Sequence, residues 1–361
     1  RVGVFSNQSG IDSKLRSSVD LLRSKYNVTA IFVPEHGLLG AVAAGEKFTN
    51  SDYEGITVYS LYGDCRRPSK GMLDTAVDIQ DIGVRHYTYT SSLAYIMEEC
   101  AKYQKQVVIF DRPNPLGGAI QGPVLKAEHK SFIGLYEIPL RHGLTIGEFA
   151  KFINTEYKIN CSLEVVAMKH WQRDMLWADT KLQWVQTSPL IPTAETAFLY
   201  ASTGICGDTA LSVGVGTAKP FYFVGGPFAK AAEVTEAFYN LGIPGVGFRK
   251  AAFTPRYGKY KDELVEGCEI YILNPKIVNF PELQYLMINT MQKLYPEAMI
   301  ELPKRYGGNG NVVDIALGER CIEEQEEPVK AFARWKTECN IFEEKVKKYL
   351  ILVEKLVNLF K

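Results

Sequence analysis

The chain has 361 residues, 46% of them hydrophobic and 23% charged, ordinary figures for a globular protein long enough for two or three domains. Its 41 Lys and Arg balance its 41 Asp and Glu, so it lacks the basic excess of a nucleic-acid or anionic-membrane binder. No apolar run approaches the roughly 18–20 residues of a spanning helix.

Val2 to Phe5 reads as a first buried strand, followed by the polar turn S-N-Q-S-G at 6–10. That turn lacks the G-x-G-x-x-G spacing of a dinucleotide site, which argues against a nucleotide-dependent enzyme. Asp12 or Ser13 is expected to cap a helix to about Lys25, with Leu15, Val19 and Leu22 on one face. Strands follow at Val28–Val33 and Ile56–Leu61, then a short one at Val77–Ile82. Between Tyr62 and Val77 there is little room for a crossover helix. A helix is expected over Tyr87–Tyr103 and a fifth strand over Val107–Phe110, closed by D-R-P-N-P-L-G-G. Strands alternating with helices imply βαβ units and a parallel sheet. The fold class is therefore α/β: a Rossmann-like sheet with helices on both faces over 1–160. A smaller α+β domain over 161–361 completes a cleft.

Thr145 and Glu148 form a T-x-x-E capping box opening a helix to about Tyr157. A strand at Leu163–Met168, a Trp-rich region and a glycine-rich stretch at 204–221 come next. Helices are expected near Ala229–Leu241 and Glu282–Leu294, and strands near Phe248–Phe253 and Cys268–Leu273. A closing helix starts at about Glu327, with Pro328 suited to its first turn. The last ~20 residues, from Phe342, are amphipathic. The seven cysteines contain no C-x-x-C pair, so they read as buried thiols and not a zinc ribbon. The chain opens on Arg1 inside a strand-like run without Met or signal sequence, so a start further upstream is expected.

Candidate chemistry gathers where strands end. Glu35 and His36 follow the second strand, with Glu46 just beyond. Gln80, Asp81, Arg85, His86 and Tyr87 follow the fourth, and Asp111, Arg112 and Asn114 the fifth. Arg141 and His142 precede the capping box. In a parallel sheet all these exits meet at one rim. Each also has a structural reading. Asp111 with Arg112 suits a local ion pair, Glu148 a capping residue, and Asp78 a hydrogen-bonding strand group. No metal-binding spacing such as H-E-x-x-H and no G-x-S-x-G elbow occurs.

P-E-H-G at 34–37, A-G-E at 44–46, D-I-Q-D-I-G-V-R-H-Y-T-Y at 78–89, D-R-P-N-P-L-G-G at 111–118, G-L-Y-E-I-P-L-R-H-G-L-T-I-G-E at 134–148 and S-P-L-I-P-T at 188–193 resemble, in order, the bacterial NamZ-type exo-β-N-acetylmuramidases. The resemblance implies hydrolysis of non-reducing terminal N-acetylmuramic acid from peptidoglycan-derived sugars or muropeptides. It implies no cofactor and a secreted or periplasmic location. Glu35 would be the leading catalytic carboxylate, with His36, His86 or His142 orienting it. Glu46 and Asp81 are the candidates for a second group, unless the substrate's N-acetyl group assists. Arg85, Arg112 and Arg141 are the candidate partners for a lactyl carboxylate, in a site completed by His86, Tyr87, Asp111, Asn114 and His142.

The chain departs from the family pattern at three places. Leu39 stands where an arginine is usual, Ala43 where an aspartate is usual, and G-D-T-A-L-S-V-G-V-G-T at 207–217 replaces a more polar stretch. These departures motivate an alternative, a catalytically degenerate cell-wall carbohydrate-binding protein on the same scaffold.

Overall fold

The computed structural model describes residues 1–68, 73–299 and 311–351. The first half contains β1 (Val2–Ser6), α1 (Ser18–Arg23), β2 (Val28–Val33), β3 (Ser51–Tyr53), β4 (Ile56–Ser60), β5 (Asp74–Asp78), α2 (Tyr89–Lys102), β6 (Gln106–Phe110), β7 (Gln121–Val124), β8 (Pro139–Arg141), α3 (Ile146–Glu156) and β9 (Ser162–Val166). Among the described residues the main sheet runs β3-β4-β2-β1-β5-β6-β9. Only the β3–β4 pair is antiparallel. Without β3, the parallel strands follow the doubly wound order in which the chain reverses direction between β1 and β5.

Alternation along the strands explains why both faces are covered. Val4, Ile31 and Val33 point into a small cluster with Val19 of α1. Phe5, Ala30 and Phe32 point the other way, into a large cluster containing Leu93 and Met97 of α2 and Phe149 and Phe152 of α3. That larger core continues without a break into the second half of the chain.

The second half holds α4 (Ala194–Thr203), β10 (Phe223–Gly226), α5 (Ala231–Tyr239), β11 (Val246–Phe253), β12 (Val265–Ile272), α6 (Phe280–Leu294), α7 (Val312–Leu317) and α8 (Pro328–Val346). Its sheet is antiparallel, ordered β10-β12-β11. The expected α/β plus α+β architecture is present, with two adjustments. β9 pairs with β6 in register from Ser162 to Val166, so the first sheet extends past the boundary expected at residue 160. The helix expected from Asp12 starts only at Ser18, because the Asp12 carboxylate accepts from the backbone of Lys14 and Arg16 and folds residues 12–16 into a loop. Leu15 there is left-handed, φ 62°, and 55% exposed.

The capping box is formed as expected, with Thr145 accepting from Glu148 N–H and the Glu148 carboxylate accepting from Thr145 N–H. All seven cysteines are free, and Cys65 alone of them is exposed. No helix among the described residues is long and apolar enough to cross a membrane. Part of the link between Tyr62 and Val77, and the last ten of the expected C-terminal amphipathic residues, lie outside the described residues.

Candidate active site

Where β2 ends at Val33, Pro34 stops the ladder and Glu35 turns into a cavity of about 820 Å³. Glu35 is 8% exposed. Its Oε1 accepts from Gly45 N–H at 2.8 Å and its Oε2 from the Thr88 hydroxyl at 2.8 Å. Both donors line the cavity with it. The carboxylate is thus clamped by the loop after β2 on one side and the N-terminal approach to α2 on the other. His36 is left-handed, φ 76°, a conformation that costs energy in a non-glycine residue. Its Nδ1 lies 2.8 Å from the Val42 carbonyl, and this bond closes the loop that carries Gly45 to Glu35.

The segment before α2 supplies His86, Tyr87 and Thr88. Tyr87 donates to the Thr187 hydroxyl at 2.8 Å, and Asn7 and Tyr89 hold the Thr187 backbone. This fixes the neighbouring Ser188–Ile191 stretch as one wall. The C-terminal half closes the cavity with Tyr200 of α4, the 207–215 stretch, Phe221 and Tyr257–Lys259. His86 stacks on Tyr200 at 4.9 Å and 20°, and Phe221 meets Tyr200 edge-on at 4.9 Å. The Lys259 ammonium donates to the carbonyls of Gly207 (2.8 Å), Thr209 and Leu211 (3.2 Å), and Tyr260 donates to Ala210 at 2.6 Å. These bonds pin a glycine-rich loop that has no regular ladder of its own. The carboxylates lining the cavity among the described residues are Glu35 and the half-buried Asp208. A buried carboxylate facing an aromatic floor across a wide cleft suits a sugar ring: apolar faces stack on aromatics while the hydroxyls seek polar anchors.

The family model for the N-terminal part of the exo-β-N-acetylmuramidase NamZ matches residues 2–195, and that for its C-terminal part matches 198–351. The chain belongs to the NamZ family. It is 42% identical over 306 residues, 82% of this chain and 74% of the relative, to the peptidoglycan β-N-acetylmuramidase NamZ of Bacillus subtilis strain 168. Two crystal structures of DUF1343 family proteins from Bacteroides fragilis NCTC 9343 share the NamZ fold seen here. One superposes with a TM-score of 0.88 at 34% identity, covering 97% of this chain and 94% of its own. The other gives 0.72 at 28%, covering 98% and 94%.

Of the residues expected from sequence, Glu35, His36, His86 and Tyr87 line the NamZ cleft together. The others do not. Glu46 is exposed on the loop just past Gly45. Asp81 accepts from Gly83 N–H at 2.7 Å and sits 3.8 Å from the Nε2 of His142, whose Nδ1 accepts from Leu144 N–H. Asn114 bridges the Leu144 carbonyl and Leu116 N–H. These three brace the rim from below.

The arginines expected to meet the substrate are occupied within the fold. Arg85 is 2% exposed and donates to the carbonyls of Pro123, Ile138, Ala316 and Leu317. Arg141 donates to Gln121 and to the Leu116 carbonyl over the Phe280 ring. Burial pushes both guanidinium groups down to about 9. Arg112 grips Asp78 through two nitrogens. Asp111 accepts from the Thr145 hydroxyl and Gly147 N–H, both at 2.8 Å, which ties β6 to α3, and burial pushes its carboxyl up to about 6. Asp111 and Arg112 face a second cavity of about 890 Å³, beyond α1.

The sequence reading missed Tyr200, Phe221, Tyr257 and Lys259. Tyr200 lies in a helix that was not anticipated, and the others in irregular loops. Their only local signal was the density of aromatic and glycine residues in F-T-P-R-Y-G-K-Y at 253–260.

Proposed function

We propose that this chain is an exo-acting glycosidase that removes non-reducing terminal N-acetylmuramic acid from peptidoglycan fragments, with Glu35 as the carboxyl group at the scissile bond. The observation that carries the reading is Glu35 itself, held by two cleft-lining donors in the cavity between the halves of a NamZ-family chain. The name of the 42%-identical Bacillus subtilis relative supports the substrate class.

Glycoside hydrolysis needs proton donation to the leaving oxygen and stabilisation or attack at the anomeric carbon. Glu35 supplies the first. For the second, Asp208 replaces Glu46 and Asp81 as the candidate carboxylate, because it lines the same cavity from the opposite half. The substrate's acetamido oxygen is the other candidate. The test is incubation of disaccharides carrying terminal N-acetylmuramic acid, followed by mass spectrometry. Free N-acetylmuramic acid is expected; intact disaccharide at high enzyme concentration contradicts the proposal.

A non-catalytic carbohydrate-binding role is the second reading. It is favoured by the apolar side chains of Leu211, Val213 and Val215 in the cleft wall. Calorimetric binding of muropeptides without any turnover distinguishes it.

A further inference from the structure

His86 is the most anomalous polar group in the cleft. It is 7% exposed, lines the cavity, and neither ring nitrogen has a hydrogen-bond partner among the described residues. The ring is fixed in place by its stack on Tyr200. The backbone opposite is bare: a Cβ built on Gly204 lies 3.3 Å from Nε2 and 2.7 Å from the Tyr200 carbonyl. Burial, with the Arg85 guanidinium next in sequence, pushes the imidazole down to about 3. The ring is therefore neutral at ordinary pH and presents one N–H donor and one lone pair.

Each buried polar group left unpaired costs about 1–3 kcal/mol. A phenylalanine would keep the same stack without that cost. A histidine here is explained by something that enters the cleft and satisfies it. We infer that His86 is a specificity-determining residue that reads the acetamido group of the terminal sugar.

This inference rests on the muramidase reading and names the substrate group read at the cleft floor. An acetamido group is planar and carries one N–H and one carbonyl oxygen, complementary to a neutral imidazole. Its methyl group suits the apolar surface of Tyr200 and of Phe221 edge-on to it. A protonated histidine would offer two donors and no acceptor, and would lose half of that match.

The test is calorimetric binding of N-acetylmuramic acid and of its free-amine counterpart, muramic acid. The proteins are wild type, His86→Phe and His86→Gln, with hydrolysis of a chromogenic N-acetylmuramide measured in parallel. Wild type is expected to prefer the N-acetylated sugar. His86→Phe is expected to lose about tenfold in affinity for it, to keep its affinity for muramic acid, and to melt at the same or a higher temperature. His86→Gln, which keeps a donor and an acceptor, recovers part of the preference. In hydrolysis the loss appears in KM more than in kcat.

An unchanged preference in an active His86→Phe protein overturns the His86 inference and leaves the muramidase reading standing. So does a lowered melting temperature with unchanged preference, which marks a packing role. A wild type that neither binds these sugars nor hydrolyses the muramide overturns both.

Discussion

Glu35 and His36 are neighbours in sequence with different tasks: one presents a carboxylate to the cleft, the other ties off the loop that holds it. Glu35 was legible because an apolar strand runs straight into P-E-H-G, and strand ends of parallel sheets gather ligands. The same logic failed for Arg85 and Arg141. A sequence displays a charge but not the direction its side chain takes, and both arginines turn inward to satisfy backbone carbonyls that no strand or helix pairs. Arg85→Met leaves several buried acceptors unpaired. It is expected to destabilise the fold by about 3 kcal/mol or more, measured as a fall in denaturant midpoint. Retained stability with a raised KM would instead make Arg85 a substrate group.

At the scale of elements, local signals were legible where a side chain caps its own helix. Thr145 and Glu148 behave as T-x-x-E predicts, and Glu148 additionally accepts from Arg173 at 2.9 Å. Thr145→Ala removes the cap and the hydroxyl bonded to Asp111. It is expected to cost about 1–2 kcal/mol, read by chemical denaturation, with hydrolysis unchanged per folded molecule. Asp12 shows the limit of such signals: the same residue type that caps helices also closes loops, and here Arg16 joins it in the loop. The 207–217 stretch carries no periodicity, so its conformation depends on Lys259 and Tyr260 reaching in from about fifty residues away in sequence. Lys259→Met is expected to speed amide exchange over 207–211 and to raise KM several-fold. Unchanged exchange there would show that the loop holds itself.

At the scale of the whole molecule, the strand order places β2 and the approach to α2 on one rim, and the second half of the chain roofs that rim. The first half of the site was therefore visible as strand exits. The second half was not, because its contributors come from a helix and three loops that only tertiary packing brings together. Burial of neutral His86 also sets a pH dependence. The unfolded chain takes up a proton near the ordinary value of 6.5, while the folded chain resists it down to about 3. The unfolded state thus binds more protons in that window, and stability falls as pH drops through it. Thermal melts from pH 7.5 to 4 are expected to fall less steeply for His86→Phe than for wild type. Parallel curves would show that His86 does not set this slope.

The central claim is that the Glu35 carboxyl performs the chemistry in this cleft, and it is tested most directly by the rate of a chromogenic N-acetyl-β-muramide with wild type and Glu35→Gln. The substitution keeps an acceptor for Gly45 and Thr88 and removes the acid. The account predicts a loss of about 100-fold or more in kcat with the fold intact by circular dichroism. A Glu35→Gln protein that turns over at the wild-type rate would contradict it.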